Sequence, residues 1–127
     1  MPLAALLIAS FSINAGTLIV PPGASLNLGK GQLNLNCNDL NVAGTLRSGS
    51  GTLAVRNTVI ESTGTILGQS GYLQLAGDWT PLGTFQTDNS RVLLTDGCGN
   101  SQSAIHGANS YSTLLISSST GKVFQFD

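Results

Sequence analysis

Charge is what this sequence has least of. Of its 127 residues, five are Lys or Arg and six are Asp or Glu, 9% in all with a formal net charge of −1, where an ordinary soluble domain carries about 25%. The cations Lys30, Arg47, Arg56, Arg91 and Lys122 are scattered singly. Without a basic cluster the chain has no electrostatic footprint for nucleic acid or an anionic membrane surface. The carboxylates Asp39, Glu61, Asp78, Asp88, Asp96 and Asp127 are equally dispersed, which argues against the paired acids of a glycan-cleaving groove. Histidine occurs once, as His106 between Ile105 and Gly107, and reads as an exposed turn residue. No Gly-x-Ser-x-Gly elbow singles out a serine, and two cysteines with one histidine are too few for a zinc site. The expectation is a non-enzymatic chain with no catalytic residue, metal or cofactor, and with one domain's worth of core. Near-neutrality also removes the self-repulsion that keeps proteins apart.

Charge is absent altogether from Met1 to Ala15, where Leu3-Ala4-Ala5-Leu6-Leu7-Ile8-Ala9 forms an apolar block. It has the length and downstream small residues of a secretory signal but no Lys/Arg at its start, and it is too short for a stable transmembrane segment. Three readings stay open: a signal-derived stretch, a retained apolar arm, or a membrane anchor. In each the protein is exported or assembled and not free in the cytosol, and the expected location is extracellular or at a cell surface. The domain organisation is then 1–15 as arm or signal and 16–127 as the folded domain.

Helical periodicity is also missing after Ala15, and what replaces it is a repeat. Gly44-Thr45-Leu46, Gly64-Thr65-Ile66 and Gly83-Thr84-Phe85 recur at spacings of 20 and 19. A second mark, Gly31-Gln32-Leu33-Asn34-Leu35, Gly51-Thr52-Leu53-Ala54-Val55, Gly71-Tyr72-Leu73-Gln74-Leu75 and Ser90-Arg91-Val92-Leu93-Leu94, recurs at 20, 20 and 19. Both marks alternate apolar and polar residues, the period of a strand with one buried face. An all-β unit this short cannot bury its own apolar face and must stack on its neighbours. The pattern predicts an all-β, parallel β-solenoid of about five coils, 16–30, 31–50, 51–70, 71–89 and 90–116, with a polar loop at 96–110 and a last strand from Lys122 to Phe126. A β-sandwich is the structural alternative. The inward positions are expected to be Leu26, Leu28, Leu33, Leu35, Leu40, Val42, Leu46, Leu53, Val55, Val59, Ile66, Leu73, Leu75, Trp79, Phe85, Val92, Leu94, Ile105, Leu114 and Ile116.

The stretch from Gly77-Asp78-Trp79 through Gly83-Thr84-Phe85, Val92, Ile105-His106-Gly107 and Tyr111-Ser112-Thr113-Leu114-Leu115-Ile116 to Gly121-Lys122-Val123 resembles the recurring pattern of bacterial repetitive β-solenoid surface proteins. These are the filamentous-haemagglutinin-like and autotransporter-passenger solenoids. The resemblance covers most of 16–126 and implies an exported adhesin, coat or fibre. The chain departs from the family in having about five coils where its members have many.

Three sets of residues are candidates for function. Cys37 and Cys98 are the only thiols. In an exported protein they are expected to oxidise, within the chain, between chains, or not at all, since three coils at about 4.8 Å each separate them unless the 96–110 loop folds back. Thr45, Thr65 and Thr84 are expected to form a hydroxyl ladder, which orders water in an ice-binding surface or simply stacks at a turn-to-strand junction. Leu3, Leu6, Leu7, Ile8, Phe11, Leu114, Ile116, Val123, Phe124 and Phe126 are candidate subunit contacts, because both ends of the repeat carry apolar strand-forming sequence with no polar cap. The expected partners are other copies of the chain in a head-to-tail extracellular filament. The alternative is a surface adhesin or carbohydrate-binding fragment that contacts a polysaccharide or host surface.

Overall fold

The computed structural model describes residues 12–14, 16–107 and 110–127. Strand β1 (Ser12–Asn14) leads into a first coil of β2 (Thr17–Val20), β3 (Ser25–Asn27) and β4 (Gln32–Asn34). The second coil is β5 (Asp39–Val42), β6 (Thr45–Arg47) and β7 (Thr52–Val55), and the third is β8 (Thr58–Ile60), β9 (Thr65–Leu67) and β10 (Tyr72–Leu75). The fourth is β11 (Trp79–Pro81), β12 (Thr84–Gln86) and β13 (Arg91–Thr95). The fifth has β14 (Gln102–Ile105) and β15 (Thr113–Ser117), followed by β16 (Val123–Phe126). Corresponding strands of successive coils pair in parallel, so the chain is a three-sided β-solenoid. Face A runs β1-β2-β5-β8-β11-β14-β16, face B runs β3-β6-β9-β12, and face C runs β4-β7-β10-β13-β15. Among the described strands only β1 breaks the pattern, lying antiparallel on β2.

The register of faces B and C is the repeat seen in the sequence. Thr45 pairs with Thr65 and Thr65 with Thr84 on face B, and Leu53, Leu73, Val92 and Leu114 are successive partners on face C. Like stacks on like, and Leu46, Ile66, Leu53, Leu73, Trp79, Leu94 and Ile105 are buried in one continuous core. Burying each such side chain stabilises by about 1.5–3 kcal/mol, and no coil could do so alone.

The corner between faces B and C needs the left-handed backbone region in all four coils. The positions are Gly29 (φ 59°), Gly49 (59°), Gln69 (51°) and Asp88 (49°). The first two use glycine, for which this region costs little. The last two use side chains that reach to the coil before: Gly49 N donates to Gln69 Oε1 at 2.8 Å, and Gln69 N donates to Asp88 Oδ2 at 3.1 Å.

Three expectations are corrected. Val59 is not inward; Thr58 and Ile60 are buried instead. Only Arg56 and Asn57 separate β7 from β8, whereas four residues, Leu35 to Asn38, separate β4 from β5, so the twenty-residue count slips at this corner of face A. Ile116 holds an inward register position but is 54% exposed, because β15 is the last strand of face C. The segment 96–110 is not wholly a loop: it contains β14, whose Ile105 pairs with Trp79 and is buried.

Candidate functional site

The three faces end at different heights. Face B stops at β12 in the fourth coil, face C at β15 in the fifth, and face A continues to β16. Where face B stops, aromatic rings cover the core. Trp79 and Phe85 meet edge to face at 5.2 Å between centroids, and Tyr111 from the fifth coil lies over Phe85 at 6.3 Å. Burial pushes the Tyr111 phenol pKa up. Above this layer the stepped end leaves one edge each of β12, β15 and β16 unpaired among the described residues. Leu114 and Phe124 are half-buried there, while Ile116, Val123 and Phe126 are exposed. These five predicted contact residues therefore gather at one end of the solenoid. Leu3, Leu6, Leu7, Ile8 and Phe11 lie outside the described residues.

Two polar clusters hold this end in place. One oxygen of Asp96, Oδ2, accepts from Ser119 N at 2.6 Å and from Ser118 Oγ, Thr120 N and Thr120 Oγ1 at 3.0 Å each. The Ser119 amide above all, against a smaller desolvation effect and with help from the Ser118 and Thr120 donors, brings the Asp96 pKa down to about 2. Two residues beyond this turn, the Lys122 side chain runs inward, only 8% of the residue being exposed. Its ammonium donates to Ala76 O at 2.7 Å and Thr95 O at 3.0 Å and sits 5.2 Å from the Phe124 ring centre. Burial lowers the Lys122 pKa, partly offset by Asp96 and Asp78. At the end of β16, Asp127 Oδ2 lies 2.7 Å from His106 Nδ1, and Asp127 Oδ1 accepts from Gly107 N at 3.2 Å. The His106 hydrogen bond holds the Asp127 carboxyl below its usual range. His106 is thus a strand clasp as well as a turn residue.

Cys37 and Cys98 form a disulfide within the chain, with Cα atoms 5.6 Å apart. Their loops follow β4 and β13, three coils apart on face C, so the bridge arches over the ends of β7 and β10. Thr45, Thr65 and Thr84 form one column on the outside of face B, extended by Ser25, which pairs with Thr45. The neighbouring outward column, Asn27, Arg47, Leu67 and Gln86, is chemically mixed, so the regular hydroxyl array is one column wide. The sequence reading missed Asp96, Lys122 and Asp127 as a group. Their partners lie some twenty to forty-six positions away, and only the coil register brings them together. No group of three or more His, Cys, Asp or Glu side chains able to hold a metal occurs among the described residues. The chain matches no family model, no curated protein and no solved structure.

Proposed function

We propose that the protein is an exported, non-enzymatic structural subunit that assembles end to end with other copies into an extracellular filament. The observation that carries this reading is the stepped end, where β12, β15 and β16 present unpaired parallel edges beside exposed Ile116, Val123 and Phe126. The opposite end supports a second copy as the occupant, because β3 and β4 also have unpaired edges among the described residues. Joining one copy's last coil to another's first would continue the parallel ladders of faces B and C. Such a contact is heterologous and does not close on itself, the geometry of a fibre. The disulfide supports an oxidising compartment, and the net charge of −1 puts little repulsion between copies. A bacterial surface origin rests on the sequence resemblance alone.

Negative-stain electron microscopy and sedimentation over roughly a hundredfold range of concentration test the reading. The full chain is expected to form filaments, and the double variant Ile116→Lys, Phe126→Lys to remain short rods. Monodisperse rods from the full chain at every concentration, or filaments unchanged in the folded variant, overturn it. A chain lacking residues 1–15 reports whether the apolar arm contributes to the contact.

A further inference from the structure

The disulfide roofs a cleft of about 260 Å³ at the corner between faces C and A. Ala54 and Gln74 on the outward side of β7 and β10 line it beneath the bridge, with Asn34 and Asn36 from the first coil and Thr95 and Gly97 from the fourth. The space exists because Ala54 is small where its face C partners Asn34 and Gln74 are larger. We propose that this cleft binds a single neutral sugar ring, such as a terminal or branch residue of a glycan.

Four observations carry the assignment. Among the described residues no Asp, Glu, Lys, Arg or His side chain lines the cleft, and the Lys122 ammonium at this corner is already taken up by the Ala76 and Thr95 carbonyls, so the lining favours a neutral ligand over a charged one. The polar groups are instead amides and a hydroxyl. The Gln74 and Asn36 side chains line the cleft and have no hydrogen-bond partner among the described residues, and an amide offers both donors and an acceptor, the complement of neighbouring sugar hydroxyls. Ala54 and the two cysteines supply an apolar surface beside them, suited to the C–H face of a ring. Finally, Asn36 and Cys37 are both held in the left-handed region (φ 52° and 62°), and Asn36 N donates to Asn34 Oδ1 at 2.9 Å. The first-coil wall is therefore built before a ligand arrives. At about 30 Å³ per water the cleft holds the volume of roughly nine waters, enough for one ring and too little for an enclosed chain. Affinity for a single ring is expected to be about millimolar, and a filament repeating the site would raise it by avidity.

The test is a titration of the isotopically labelled, oxidised protein with methyl glucoside, methyl galactoside, methyl mannoside and N-acetylglucosamine, each to about 100 mM, read by amide chemical shifts. At least one sugar is expected to give saturable shifts confined to Ala54, Gln74, Thr95 and Gly97. Ala54→Leu, which fills the cleft from the outside of β7, and Gln74→Leu, which removes the amide, are each expected to weaken binding about tenfold or more. No saturable shift at these amides with any of the four sugars overturns the proposal. So does undiminished binding in both variants when their spectra show the native fold. The titration is carried out in the Ile116→Lys, Phe126→Lys background, whose changes lie at the stepped end and outside the residues that line the cleft, so its outcome is separate from whether the parent chain assembles.

Discussion

The Lys122 ammonium donates to the carbonyl of Ala76, 46 residues earlier and in the third coil, at 2.7 Å. The link follows from the path of the loop between β13 and β14. In the second and third coils the corner between faces C and A is short, and backbone groups bond from coil to coil, as in Ala76 N to Val55 O at 2.9 Å. In the fourth coil the chain swings outward to bring Cys98 to Cys37, and a tight corner no longer covers Ala76 O and Thr95 O. Lys122 supplies the missing donors. The disulfide excursion and the buried lysine are therefore two parts of one corner.

Replacing the ammonium while keeping the stem tests this relationship. Lys122→Met leaves two carbonyl oxygens short of a donor, at a cost of about 1–3 kcal/mol, and is expected to lower the thermal midpoint by about 5–10 °C. Circular dichroism melting measures it. An unchanged midpoint shows that water replaces the ammonium without loss.

Acid is expected to loosen the same end through Asp96. Its folded pKa, about 2, lies below the ordinary carboxylate value of 3.8. The contribution of this group is therefore fully present above about pH 4 and is lost as the pH falls toward 2. Asp39 and Asp127 are also lowered, Asp39 because hydrogen bonds from Arg56 and Asn57 together outweigh its desolvation, so they act in the same direction. Urea midpoints at about pH 5 and about pH 2 separate the groups. Asp96→Asn is expected to be less stable than the parent at the higher pH, with the difference shrinking at the lower one. A difference independent of pH would assign the Asn effect to packing and not to charge.

Reduction is expected to weaken the solenoid without dismantling it. The bridge spans 61 positions, a loop worth roughly 4 kcal/mol in the chain-entropy model. The coils it spans are separately joined by the pairing of β4 with β7, β7 with β10, and β10 with β13. The Cys37→Ser, Cys98→Ser variant should keep its β-rich circular dichroism spectrum and lose about 10–20 °C in melting temperature. Loss of the spectrum at room temperature would show that the bridge is required for the fold itself.

Faces B and C were legible in the sequence because each coil spends the same number of residues on them. The Thr45, Thr65, Thr84 column and the Leu53, Leu73, Val92 ladder could be counted directly. Face A was less legible because its preceding corner varies in length, which is why a fixed twenty-residue count points to Val59 as inward when Thr58 and Ile60 are the buried pair. The candidate end was partly legible: apolar alternation in Leu114 to Phe126 marked it as strand, while its exposure depends on where each face stops. The Asp96 and Lys122 clusters and the cleft were not legible, since each joins residues from coils far apart in sequence.

Gly64 shows why the Gly-Thr mark begins with glycine. Its backbone lies against the coil before so closely that a Cβ would overlap the Val42 carbonyl oxygen, and Gly44 and Gly83 meet similar backbone atoms. Left-handed backbone is not the cause, for none of these three has a positive φ. Gly64→Ala must push two coils apart and is expected to cost about 3 kcal/mol or more. Equilibrium unfolding in urea measures the loss. A cost below about 1 kcal/mol would show that the coils separate freely at this corner.

Thr58 offers the opposite sign. It occupies an inward position on face A, paired with Leu40 on one side and Trp79 on the other, and is 1% exposed. Its Oγ1 has no hydrogen-bond partner among the described residues, so folding takes this hydroxyl out of water without a protein partner in exchange. Valine has nearly the same shape and replaces the hydroxyl with a methyl group in an apolar column. Thr58→Val is therefore expected to stabilise by about 1 kcal/mol and raise the melting temperature by roughly 3–6 °C. The same change at Thr65 on the outside of face B removes a hydroxyl that already meets solvent, so it is expected to change stability by less than about 0.5 kcal/mol. If Thr58→Val destabilises while Thr65→Val does not, the Thr58 hydroxyl has a partner in solution, and a buried water at that position becomes the explanation to pursue.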